Sequence, residues 1–109
     1  VEAAISEAPE LQVEVVVVDN GSREGSADAV REHFPAFRLL ALSRNLGFAR
    51  AVNRGLGVAQ GRFILLLNSD VEVDYRLLRD GVSLMDANPK VGVLGPRPDH
   101  GLQCLCCRI

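Results

Sequence analysis

Large apolar residues come in four short, nearly unbroken runs along this chain, and each run ends abruptly in polar or turn-forming residues. The densest is Phe63-Ile64-Leu65-Leu66-Leu67, which follows Gly61-Arg62 and stops at Asn68-Ser69-Asp70. A run this short cannot span a membrane and reads as a strand buried on both faces, in the middle of a parallel sheet. Leu11 to Val18, β-branched and mostly apolar, reads as a second buried strand. Phe37 to Leu42 predicts a third, and Val91 to Leu94 a fourth that Gly95-Pro96-Arg97-Pro98 breaks.

Between these runs the apolar spacing turns helical. Val1 to Ala8 reads as the last turns of a helix ended by Pro9. Ser26 is placed to cap a helix from about Ala27 to Phe34, with Ala27, Val30 and Phe34 on one face and Pro35 closing it. Asn45-Leu46-Gly47 opens a helix to about Ala59, whose predicted core stripe is Phe48, Val52, Leu56 and Ala59. Gly61 stops that helix. Asp74 is placed to cap a helix through about Ala87, with Leu78, Val82 and Met85 inward and Asn88-Pro89 at its end. The tail from Asp99 to Ile109 shows no clear period. Strands alternating with helices predict an α/β fold: an open, mostly parallel sheet with helices on both faces.

Right-handed crossovers in such a sheet bring the turns after Val18, Leu42 and Leu67 to one rim, outside the carboxyl ends of the strands, where open α/β sheets bind ligands. Three polar turns there make the candidate chemistry. Asp19 and Asn20 either accept hydrogen bonds from a nucleobase or ribose, or bond their own turn, which Gly21 lets bend tightly. Asn45-Leu46-Gly47 either presents backbone N–H groups to a phosphate or is a plain helix cap. Asn68 and Asp70 end the most apolar strand, and a carboxylate held there suits a hard divalent cation, although a capping or turn role competes. Asp74 reads more simply as a cap and Glu72 as a solvated loop residue. Gly55 and Gly57 do not follow a strand, so they form no dinucleotide fingerprint. His33 and His100 are isolated surface residues, and no Ser-His-Asp or Cys-His arrangement is visible.

Composition narrows the classes. A chain of 109 residues supports one domain, and 48% hydrophobic residues suffice for a core. A net charge of −2 without a basic stripe argues against nucleic-acid binding. No apolar run approaches the roughly 18 residues of a membrane span. Val1 to Glu10 is acidic and Ala-rich and lacks the basic start of a secretory signal. Cys104, Cys106 and Cys107 have neither zinc-knuckle nor disulfide-framework spacing; they read as free thiols of a reducing cytoplasm, with a metal or redox role as the alternative.

Val17-Val18-Asp19-Asn20-Gly21-Ser22, Asn45-Leu46-Gly47-Phe48-Ala49, Asn53-Arg54-Gly55 and Leu66-Leu67-Asn68-Ser69-Asp70, in that order and spacing, resemble family 2 glycosyltransferases of the GT-A fold, particularly the bacterial rhamnosyltransferase-like branch. The likeness runs from about Val13 to Arg108. It implies inverting transfer of a sugar from a nucleoside-diphosphate-sugar donor to a glycan or lipid-linked acceptor in cell-surface polysaccharide synthesis, in the cytoplasm or at the cytoplasmic face of the membrane. By this resemblance Asp19 contacts the base, with Asn20 beside it, and Asn45 and Gly47 line the nucleotide site. Asn68-Ser69-Asp70 matches the family's Asp-x-Asp motif, with Asp70 the ligand of Mn²⁺ or Mg²⁺ and a neutral Asn68 in first place.

The chain departs from the family in two ways: it starts after the family's first strand, and the general base for the acceptor is expected beyond Ile109. The resemblance therefore implies the donor-binding core alone, with an unpaired interior strand position, marginal folding and little or no transfer by these 109 residues. A sugar nucleotidyltransferase and a non-catalytic nucleotide-binding or assembly module are the alternatives; the first wants a Gly-rich, Arg/Lys-bearing loop after its first strand, and none is visible.

Overall fold

A computed structural model describes residues 1–97 and 101–105, which fall into two compact units: Val13–Leu65, and Val1–Gln12 together with the chain from Leu66 onward.

The first unit is built on two parallel strands. β1 (Val16–Asp19) pairs with β2 (Arg38–Ala41) in the register Val16↔Arg38 to Asp19↔Ala41, and the amide of Leu42 extends the ladder to the Asp19 carbonyl at 2.8 Å. The crossover runs through α2 (Ser26–His33), whose end is closed by Phe34 stacking on Phe37 with ring centroids 5.2 Å apart. The first ladder bond runs from the Arg38 amide to the Val15 carbonyl at 2.9 Å; Leu11 to Glu14, expected in the same strand, lie outside it. Ser26 is not the cap either. Gly25 takes the N-cap with a left-handed φ of 76°, and Ser26 is the first helical residue.

α3 (Phe48–Leu56) lies on β1. Its inner face differs from the predicted stripe: Ala51 is buried, Val52 and Gly55 are half-buried, and Phe48 is 73% exposed. The reason is closeness. A Cβ on Gly55 would come within 2.9 Å of Val18 Cγ2, so the helix meets the strand through its small residues and the larger ones are turned aside. The helix ends at Leu56 rather than near Ala59. The following loop is clamped instead: Arg38 donates to the Val58 carbonyl at 2.9 Å, and the Gln60 amide donates to Glu14 Oε2 at 2.9 Å. Glu14 Oε1 lies 3.6 Å from the Arg38 guanidinium.

The predicted central strand over Gly61 to Leu67 does not form among the described residues. The segment belongs to neither sheet, and Ile64, Leu65, Leu66 and Leu67 are 51%, 46%, 60% and 39% exposed. Apolar content makes such a segment fit for a buried strand, but a strand exists only through ladder bonds to a neighbour. Among the described residues β1 and β2 pair only with each other.

In the second unit, α1 (Glu2–Ser6) rests on α4 (Tyr75–Ala87), burying Ala4. Ala8, just past α1, is also buried. Asp74 caps α4 as expected, its carboxylate accepting from the Arg76 amide at 2.7 Å, and Leu78, Val82 and Met85 are half-buried. The last expected strand is displaced and changes partner. β3 (Val93–Arg97) runs through Gly95 and Pro96 and pairs antiparallel with β4 (Gly101–Leu105), inside the tail read as aperiodic. Cys104 lies on β4; His100, Cys106 and Cys107 lie outside the described residues. The architecture is thus helices with a small parallel sheet and a separate antiparallel pair, compatible with α/β. Among the described residues no helix is long and apolar enough to cross a membrane.

Candidate functional site

Parallel pairing of β1 and β2 puts the turn after Asp19 beside the turn after Ala41, and the side chains of the two turns lock together. Asn20 Nδ2 donates to Asn45 Oδ1 at 3.0 Å, and Asn20 Oδ1 accepts from the Leu46 amide at 2.9 Å. Asn45 Oδ1 accepts a second bond, from the Gly47 amide at 2.8 Å. Asp19 Oδ1 accepts from the Ser22 amide, three residues on, at 3.3 Å, a local side-chain-to-backbone bond within the turn. Gly21 lies under this junction with φ 82°, and a Cβ there would sit 2.5 Å from the Arg44 carbonyl carbon and 2.7 Å from the Asn45 nitrogen. Only glycine lets the two turns approach so closely.

Gly47 (φ 83°) is the N-cap of α3, its carbonyl accepting from the Ala51 amide at 3.1 Å. Among the described residues no side chain caps this end. The first-turn N–H groups are thus left without a side-chain acceptor, at the positive end of the helix dipole. Asn45 and Gly47 are exposed, and Asp19 and Asn20 half-buried. The arrangement offers one carboxylate, two side-chain amides and uncapped backbone donors within a few residues, a set able to hydrogen-bond a sugar ring, a base or a phosphate.

Four of the six expected site residues, Asp19, Asn20, Asn45 and Gly47, are therefore gathered in one unit. Asn68 and Asp70 belong to the other unit, in an exposed turn closed by the Val71 amide on the Asn68 carbonyl at 3.3 Å. The Asp70 carboxylate makes no hydrogen bond or ion pair among the described residues, whereas Asp74 is committed to its cap. No group of three or more His, Cys, Asp or Glu among the described residues is placed to hold a metal. Asp70 thus offers a single free carboxylate. That fits a cation held by one or two carboxylates together with a substrate's phosphates, as Mg²⁺ commonly is. Sequence reasoning found the polar turns but missed the Asn20–Asn45 lock and the Glu14–Arg38 clamp, whose partners lie 25 and 24 positions apart. The only signal for the first was an Asn shortly after each of two successive strands.

Comparison with known proteins places these turns in context. The family described as "Glycosyl transferase family 2" matches residues 1–104. An N-acetylglucosaminyl-diphospho-decaprenol L-rhamnosyltransferase of Mycobacterium tuberculosis is 32% identical over 105 residues, covering 86% of this chain and 34% of that protein. The succinoglycan biosynthesis protein ExoO of Rhizobium meliloti is 42% identical over 78 residues, 71% of this chain and 22% of its own length. A dolichyl-phosphate beta-glucosyltransferase of Trichomonas vaginalis is 31% identical over 103 residues, 88% of this chain and 31% of its own. This chain thus spans about a third or less of these relatives. No solved structure gives a significant match. With the family match extending over nearly the whole chain, it belongs to glycosyl transferase family 2.

Proposed function

We propose that this chain is the donor-binding core of an inverting glycosyltransferase that moves a sugar from a nucleoside-diphosphate sugar to a glycan or lipid-linked acceptor in cell-surface polysaccharide synthesis. The observation that carries this reading is the family match over residues 1–104. The names of the rhamnosyltransferase and succinoglycan relatives support the acceptor class and the pathway type. The finer architecture is that of an open GT-A sheet, with residues 1–109 forming one partial domain of it, working in the cytoplasm or at the membrane's cytoplasmic face.

In this reading Asp19 accepts hydrogen bonds from the nucleoside, with Asn20 beside it, and the Asn45–Gly47 segment lines the phosphate end, where the uncapped start of α3 favours negative charge. Asp70, with Asn68 beside it, holds the Mn²⁺ or Mg²⁺. When bound, that cation neutralises charge developing on the departing diphosphate. Asn68 adds a carbonyl but no charge, so cation affinity leans on the donor's phosphates. Inversion needs a base to deprotonate the acceptor hydroxyl, and no residue of these 109 is assigned that role. The 109-residue polypeptide is therefore expected to bind donor and to transfer little or no sugar.

Titration calorimetry with UDP- and dTDP-sugars, with and without Mn²⁺, tests the reading. Donor binding that requires the cation and is lost in Asp70→Asn is the expected result. Binding that ignores the cation, or a preference for nucleoside triphosphates, would overturn it, the latter in favour of a nucleotidyltransferase.

A further inference from the structure

We infer that Asn20 is a positioning residue that acts by holding Asn45, whose side-chain N–H is the group offered to the nucleoside diphosphate. This deepens the donor-binding reading and rests on it.

A primary amide has two donors on nitrogen and two acceptor sites on oxygen. In Asn20 each end makes one bond to the neighbouring turn: Nδ2 on Asn45 Oδ1 at 3.0 Å, and Oδ1 under the Leu46 amide at 2.9 Å. In Asn45 the oxygen is filled by two donors, Asn20 Nδ2 and the Gly47 amide at 2.8 Å, while Nδ2 has no acceptor among the described residues. These bonds also fix which way each amide faces. Turning Asn45 over would point its NH₂ at two N–H groups, and turning Asn20 over would point its NH₂ at the Leu46 N–H. Asn20 is half-buried and Asn45 exposed. Asn45 therefore keeps both of its N–H groups on an exposed side chain, two residues before the Gly47 N-cap of α3, whereas Asn20 spends one donor and one acceptor on the neighbouring turn. Asn20 pulls Asn45 and Leu46 against the turn after β1, a contact that Gly21 makes possible.

The test uses Asn20→Ala, Asn45→Ala, the double variant and Asn45→Asp. Amide exchange at Leu46 and Gly47 is followed by NMR, and binding of UDP and dTDP with Mn²⁺ by calorimetry. Losing one hydrogen bond should speed Leu46 exchange about fivefold in Asn20→Ala and weaken nucleotide binding by a similar factor. The binding loss should shrink in the Asn45→Ala background, because there Asn20 has only its bond to the Leu46 amide left to lose. Asn45→Asp keeps an oxygen for Asn20 and Gly47, so Gly47 protection should persist while nucleotide binding falls. Unchanged Leu46 exchange in Asn20→Ala overturns the positioning role. Losses that multiply in the double variant overturn action through Asn45, and wild-type binding by Asn45→Asp removes Asn45 as a donor. Should the unaltered chain bind neither nucleotide, the donor-site reading falls and takes the Asn45 assignment with it, and the exchange result alone then decides whether Asn20 is a strut.

Discussion

Replacing Gly21 with Ala isolates the closest approach in the parallel unit. Two penalties add. An L-residue held at φ 82° costs about 1–2 kcal/mol relative to glycine. The new methyl would also meet three backbone atoms, Arg44 C at 2.5 Å, Asn45 N at 2.7 Å and Arg44 Cα at 2.8 Å. No rotamer change relieves a clash with main chain, so the turn after β2 must move, a displacement of the kind that costs about 1–3 kcal/mol. The total is about 2–5 kcal/mol, a large part of an ordinary domain's stability. Gly25 supplies the control. Its φ is 76°, yet a Cβ there meets nothing within 4 Å, so Gly25→Ala reports the backbone penalty without the clash. Alanine is also a poorer N-cap than glycine, which makes that control err toward too large a loss. Thermal and urea unfolding followed by circular dichroism should rank Gly21→Ala clearly below Gly25→Ala, by roughly 4–8 °C in Tm for each kcal/mol of difference. Equal losses in the two variants would refute the argument that the turns are locked by steric contact at Gly21.

Three further outcomes follow from the same geometry. Gly81→Ala in α4 should raise stability by about 0.5–1 kcal/mol, since nothing lies within 4 Å of the added methyl, whereas Gly55→Ala in α3 should lower it because Val18 Cγ2 is 2.9 Å away; unfolding curves showing gains in both would contradict the close packing of α3 on β1. Asp74→Ala removes the N-cap bond to Arg76 and should cost about 1 kcal/mol in urea denaturation, while Asp74→Ser should recover most of it. Leu66→Lys, at a position 60% exposed, should leave the melting temperature within about 2 °C and reduce light scattering at high protein concentration. A large drop in Tm would show instead that the run from Ile64 to Leu67 is packed in solution.

Local patterns carried much of the chain. The Asp74 cap, the half-buried face of Leu78, Val82 and Met85, the stop at Asn88, and the order strand–helix–strand from Val16 to Ala41 follow from caps, spacing and breakers within a few residues. Helices are legible because their hydrogen bonds close between residues four apart. The polar turns after β1 and β2 were also visible as candidate chemistry, since any ligand site of such a sheet lies where the strands end.

What the sequence alone could not decide is who pairs with whom. Phe63 to Leu67 has the composition of a buried strand yet pairs with no strand among the described residues, while Gly101 to Leu105, with no recognisable period, finds β3 and becomes a strand. Likewise nothing local announces that Asn20 and Asn45, 25 positions apart, share hydrogen bonds, or that α3 turns Ala51 and Gly55 to β1 and leaves Phe48 in solvent. A strand's ladder, an amide's partner and a helix's closest face each depend on a second segment brought near by the fold. Tertiary structure decided those, because their energies come from contacts that the residue order does not contain.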